Sequence, residues 1–186
     1  MNPIVNKSDF EDLTTNLRDL AYSYLEKYSP SKQQLKVYLL KKYLTKIKGT
    51  KSKKEVTSII DEIILNLEKN KIINDEMYSD SKARMFLRRG YSLNKINQSL
   101  RNKGIDSHFI KKSLDKIKEN SIEPDFVSAL KLCKRRRIGP LRPHANRELF
   151  YKKDMGILAR GGFNFELSKR ILDLDLVEFN KLIKIV

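Results

Sequence analysis

Apolar side chains recur along most of this chain at the three-to-four-residue spacing of helices. The clearest stripe is Ile59, Ile60, Ile63, Ile64 and Leu67, which share one face of a helix running from Val56 to Leu67. Leu35, Tyr38, Leu39 and Tyr43 keep the same spacing. So do Leu93, Ile96 and Leu100, then Phe109, Ile110, Leu114 and Ile117, then Phe126, Ala129, Leu130 and Cys133. Helices are also expected over 20–28, 147–160 and 164–174, with a short closing helix near 177–186. No stretch alternates apolar and polar with the period of two that a half-buried strand needs. Ile72-Ile73 is too short, and Ile183 to Val186 lies at the chain end. The pattern predicts an all-α fold.

The punctuation between stripes repeats. An eleven-residue unit runs from Gly90 to Leu100 and again from Gly162 to Leu172, with a weaker copy from Ser29 to Leu39. Two positions into each unit stands Ser92, Asn164 or Ser31, short polar residues that suit a helix N-cap. Apolar pairs precede each turn: Met85-Phe86, Ile157-Leu158 and Tyr24-Leu25. Repetition at this scale signals one helix–turn–helix built three times. Asn74-Asp75 reads as a cap, Lys103-Gly104 as a helix end, and Glu123-Pro124 as a break. Ile138 to Pro143, with two prolines and a glycine, must be a loop. The expected divisions are a polar tail over 1–19, repeats over 20–72, 73–120 and 123–174, and a C-terminal tail over 175–186.

Charge changes the picture from fold to partner. The 186 residues carry 39 Lys and Arg against 23 Asp and Glu, a formal net charge of +16. That excess suits a polyanionic partner such as nucleic acid, an acidic protein face or an anionic membrane. Lys32 to Lys54 alone holds nine lysines and no acid. The single Cys133 excludes an internal disulfide and fits a reducing cytoplasm. The first ten residues lack the apolar core of a signal peptide, and no apolar run is long enough for a membrane span.

Candidate chemistry is sparse. Two histidines, His108 and His144, and one cysteine give no zinc-binding spacing. Gly49-Thr50-Lys51-Ser52 lacks the earlier glycine and the preceding strand of a phosphate-binding loop. Asp61-Glu62 and Asp75-Glu76 are sequence neighbours, so on a helix each pair diverges by about 100° and reads as a solvated face. The basic clusters stand out instead. Lys134-Arg135-Arg136-Arg137 ends one helix, Arg142 follows the loop, Arg88-Arg89 precedes Gly90, and Arg160 precedes Gly161-Gly162. Last-turn cations also suit the helix dipole, by about 0.3–1 kcal/mol each. That accounts for one or two of them, not for the set. Tyr91 and Phe163, just after the turns, read as core plugs before they read as base-stacking residues.

These motifs, in order, resemble the RecX family, regulators of the bacterial RecA recombinase. Asn74-Asp75-Glu76, Arg88-Arg89-Gly90-Tyr91-Ser92, Ile96, Leu100 and Lys103-Gly104-Ile105 look like its central repeat. Ala129-Leu130, Lys134 to Pro140 and Leu158-Ala159-Arg160-Gly161-Gly162-Phe163 look like its C-terminal repeat. Ala21 to Leu39 looks like its first. Ser168 departs from the pattern, standing where the central repeat has Ile96.

The resemblance implies tandem three-helix repeats in an elongated, curved array, with no cofactor, no metal and no catalysis. It implies a monomeric cytoplasmic protein of DNA repair, recombination and the SOS response. Such a protein lies along the RecA filament on single-stranded DNA and inhibits ATP hydrolysis, strand exchange and co-protease activity. Arg88, Arg89, Arg135, Arg136, Arg137, Arg142 and Arg160 are then the expected contacts to the filament or its phosphates. The rival readings are a free-standing helical protein that binds DNA or RNA directly, and an enzyme built on the few titratable groups.

Overall fold

A computed structural model describes residues 7–47 and 52–185. Ten α-helices follow one another through these residues, and none of the described residues is in a strand. They are α1 (Lys7–Leu25), α2 (Lys32–Lys42), α3 (Lys53–Lys69), α4 (Asp75–Arg88) and α5 (Leu93–Arg101). Then come α6 (Ser107–Glu119), α7 (Pro124–Arg136), α8 (His144–Arg160), α9 (Phe165–Leu172) and α10 (Leu176–Ile185). A π-turn over Tyr43–Ile47 extends α2, and a 3-10 turn over Gly139–Leu141 precedes α8. The chain forms two compact units, one holding residues up to Tyr78 together with Lys103–Ile105, the other Ser79–Asn102 and the residues from Asp106 onward.

The first unit is built on the α3 stripe. Val56, Ile59, Ile60, Ile63, Ile64 and Leu67 are all buried, against Leu35 and Leu39 of α2. Leu13, Leu17 and Ala21 of α1 complete this core, spaced four residues apart along one helical face. The helical start at Lys7 corrects the expected polar tail over 1–19: Lys7 to Asp19 is helix, with Leu13 and Leu17 buried. Residues 1–6 lie outside the described residues, as do Lys48, Gly49, Thr50 and Lys51 of the lysine-rich stretch.

In the second unit, Ala129, Leu130, Leu132 and Cys133 of α7 pack with Leu158 of α8, Ile171 and Leu172 of α9, and Phe179 of α10. Phe179 is fully buried, so the C-terminal segment, where a short closing helix is expected near 177–186, packs into this core as α10. Burial raises the Cys133 thiol to about 12, with the charge of Asp154 adding to it, so the thiol is a core group rather than a reactive one.

The caps fall where the sequence places them. Ser31, Ser92 and Asn164 each accept a hydrogen bond from the backbone N–H three residues on. Leu39, Leu100 and Leu172, the far ends of the three units, are buried. Yet the three copies are not equivalent. Ser31 Oγ also donates to the carbonyl of Lys103 at 2.7 Å, and the Lys32 N–H donates to Asp75 at 2.9 Å. Ser92 Oγ donates to the carbonyl of Gly162 at 2.8 Å, and the Leu93 N–H donates to Asp125 at 2.7 Å. The same donor–acceptor set is therefore made twice. Asn164 lacks a hydroxyl and makes no such bond; its neighbour Gly162 is the receiver. All three copies share the cap and the buried distal leucine, and the second and third also share a turn closed on a positive-φ glycine, but only the first two make the longer-range pair of bonds.

Ser168 of α9 is almost fully buried, and its Oγ has no hydrogen-bond partner among the described residues. An unpaired buried hydroxyl costs about 1–3 kcal/mol. Ser168→Ala is therefore expected to leave stability unchanged or raise it by up to about 1 kcal/mol. Chemical denaturation checks this; a loss above 1 kcal/mol would reveal a hydrogen bond that the geometry lacks.

Candidate anion-binding surface

Two turns meet in the second unit, and arginines flank both. The Ser92 N–H donates to the Gly161 carbonyl at 3.0 Å, and Ser92 Oγ donates to that of Gly162. The first turn needs Gly90, whose φ is +73°. A Cβ there would lie 2.6 Å from the Leu132 backbone nitrogen and 2.7 Å from the Ser128 carbonyl oxygen, both on α7. The second turn needs Gly162, with φ +93°, where a Cβ would lie 2.3 Å from Ser92 Oγ. Glycine alone satisfies both demands at each position. A Cβ on Gly161 would meet the Leu132 side chain at 2.9 Å. Leu132 thus sits against both turns, one turn of helix before Arg135 and Arg136.

This packing brings most of the expected residues to one region. Arg88 and Arg89 end α4 just before the first turn, Arg160 ends α8 just before the second, and Arg135, Arg136 and Arg137 end α7 beyond Leu132. All six are exposed, and none has an ion-pair partner among the described residues. Arg137 adopts φ +53°, the left-handed conformation that glycine normally supplies at a helix end. The Ile138 N–H to Cys133 carbonyl bond closes that helix end around it.

Arg142 is different. Its Nε donates to Asp154 Oδ2 at 2.6 Å and its terminal nitrogen to Oδ1 at 2.7 Å, while the Gly139 N–H also donates to Oδ2. Its guanidinium lies 4.5 Å from the centre of the Phe150 ring. Asp154 is buried, so Arg142 neutralises a core carboxylate and ties the α7–α8 loop to α8. Its geometry is that of a prop, with its fork already occupied.

Tyr91 is half-buried against Phe86, and Phe163 is in the core. The exposed aromatic here is Phe165, 67% accessible at the first position of α9. Phe165 and Lys95 lie inside the repeated unit but at positions that do not repeat between its copies, where Leu93 and Leu167 stand instead, so the motif carries no signal for them. His108 and His144 are both exposed, and no group of three metal-ligating side chains occurs among the described residues. No described helix is long and apolar enough to cross a membrane.

Removing Arg142 should strand the Asp154 carboxylate. Arg142→Ala is expected to cost about 3 kcal/mol in denaturant unfolding. Arg135→Ala, with no partner to lose, should change stability by less than about 0.5 kcal/mol. Equal effects would sink the distinction drawn between them.

No protein-family model matches the chain. A crystal structure of RecX from Lactobacillus salivarius matches with a TM-score of 0.57 at 17% identity, covering 95% of this chain and 99% of that one. A second crystal structure, of regulatory protein RecX, matches with a TM-score of 0.58 at 23% identity, covering 88% of this chain and 73% of that one. These two likenesses concern the all-helical fold. Regulatory protein RecX of Myxococcus xanthus (strain DK1622) is 31% identical over 161 residues, which span 86% of this chain and 85% of that protein. With that identity over nearly the whole length, the chain belongs to the RecX family of regulatory proteins.

Proposed function

We propose that this protein binds the RecA filament on single-stranded DNA and inhibits RecA ATP hydrolysis, strand exchange and co-protease activity. It would act as a cytoplasmic monomer in repair, recombination and the SOS response. The observation that carries this reading is the gathering of Arg88, Arg89, Arg135, Arg136, Arg137 and Arg160 around two joined turns, all exposed and without ion-pair partners among the described residues. Unpaired arginines on rigid helix ends suit carboxylates or phosphates, which their planar fork holds bidentately. Arg142 supports this surface from below rather than joining it.

Arg137 sharpens the case. A side chain in the left-handed region carries strain of about 1 kcal/mol that glycine would avoid. A local rule broken beside other exposed arginines points to use of the side chain.

RecA-dependent ATP hydrolysis on single-stranded DNA, with and without the protein, tests the reading directly. The wild type should suppress turnover. The double variant Arg135→Glu, Arg136→Glu should raise the half-inhibitory concentration about tenfold or more, with little change in melting temperature. Undiminished inhibition by that variant would place the interface elsewhere.

Arg137→Gly separates strain from binding. It is expected to gain about 0.5–1 kcal/mol of stability and to inhibit RecA less well. Greater stability with full inhibition would remove Arg137 from the interface.

A further inference from the structure

A cleft of about 560 Å3 opens between the start of α5 and the α8–α9 turn, lined by Asn94, Lys95, Gln98, Arg160, Phe163 and Asn164, among others. Its volume is within the range of ligand sites, about 300–1,000 Å3. What distinguishes it is chemical. Three further cavities are described, and each carries carboxylates: Asp80 and Glu119 in one, Glu148, Asp154 and Asp173 in another, Asp61, Glu68 and Asp75 in the third. This cleft has none. It presents two cations, Lys95 and Arg160, with three amides, Asn94, Gln98 and Asn164. The Asn164 oxygen is spent on the α9 cap, but the side chains of Lys95, Arg160, Asn94 and Gln98 have no partner among the described residues.

Immediately after Asn164 comes Phe165, the exposed aromatic ring of this turn. Cations alone would suit any anion, including an acidic protein face. Cations with free amides and an exposed ring suit a strand with phosphates, base edges and unstacked π-faces. We propose that this cleft seats single-stranded DNA, with Lys95 and Arg160 on phosphates, Asn94 and Gln98 at base edges, and Phe165 stacked on a base. The assignment extends the filament-binding reading by giving this chain its own contact to the strand, but its test needs no RecA, so each stands or falls separately.

The chain has no tryptophan, so Phe165→Trp creates a single reporter on an exposed position. Its fluorescence should be quenched on titration with oligo(dT), and not with an abasic oligonucleotide of equal length or with poly-glutamate. In fluorescence anisotropy with labelled oligo(dT), Phe165→Ala should weaken binding about 5- to 100-fold, the effect of losing one stacked base. Phe165→Tyr, which keeps the ring, should bind like wild type. Lys95→Gln should lower the salt slope of log affinity by about 0.7, the loss of one phosphate contact on a single strand. Equal quenching by all three polymers would identify a general anion or acidic-protein surface and overturn the assignment. Unchanged affinity in Phe165→Ala would overturn it as well.

Discussion

A serine hydroxyl that both accepts and donates is the constraint on which the second unit depends. Ser92 Oγ accepts from the Lys95 N–H, which caps α5, and donates to the Gly162 carbonyl, which fixes the α8–α9 turn. Aspartate can cap but cannot donate, and alanine can do neither. In this turn the position facing the serine is glycine because a Cβ on Gly162 would lie 2.3 Å from Ser92 Oγ, and the serine is buried. Asp125 then satisfies the Leu93 N–H, which a helix start leaves without an intrahelical partner. Ser31, the Lys103 carbonyl and Asp75 repeat the arrangement in the first unit. The sequence separations are similar, 72 residues from Ser31 to Lys103 and 70 from Ser92 to Gly162. By this correspondence Asp125 matches Asp75 and Gly162 matches Lys103. So α7 stands to α5 as the start of α4 stands to α2.

Much of this was legible in the sequence, because the relevant forces are local. The apolar stripes gave α2, α3 and α5 to α7, the Asn74-Asp75 cap gave the start of α4, the other short polar residues gave further caps, and the glycines gave the turns. What was not legible depends on tertiary partners. Lys7 to Asp19 reads as polar because its apolar residues are sparse; the burial of Leu13 and Leu17 is set by α3, far along the chain. Gly162 and Gly90 look alike in sequence, yet one receives Ser92 and the other is pressed against α7. Arg142 looks like its neighbours in the basic cluster until Asp154, 12 residues later and buried, is seen to hold it. The basic residues were identified as a set, but which are free and which are committed follows only from where the carboxylates fold. The carboxylate-free cleft is of the same kind: it is defined by which acids fail to reach it.

The distribution of ion pairs follows from this. Lys32 pairs with Glu68, Lys36 with Asp61, Lys116 with Asp80 and Lys169 with Asp173, so many lysines are matched locally. Surface pairs of this kind contribute little stability each, and their effect is mainly to cancel charge. Hydrogen bonds from Lys116 and Ser113 outweigh burial and hold the Asp80 carboxyl below its ordinary value, so it stays ionised and keeps Lys116 occupied. The arginines around the Ser92 turns have no such neighbours. Their charge is uncancelled at the ends of three helices beside two packed glycine turns, which limits the side-chain entropy a partner's binding must overcome to the arginines themselves.

Strain at Arg137 has an internal control in Lys71, which adopts φ +58° at the end of α3. Both residues close their helices with the same bond, from the following N–H to a carbonyl five residues back, Ile72 to Leu67 and Ile138 to Cys133. A basic residue in the left-handed conformation is therefore a device this fold tolerates twice, and the conformation by itself does not mark a binding residue. What separates the two is their surroundings. Lys71 stands three residues after Glu68, which Lys32 already holds, whereas Arg137 follows three other cations and precedes a loop whose one arginine is bound to Asp154. At Arg137 the repulsion of neighbouring cations adds to the backbone strain, so this helix end costs more than the one at Lys71.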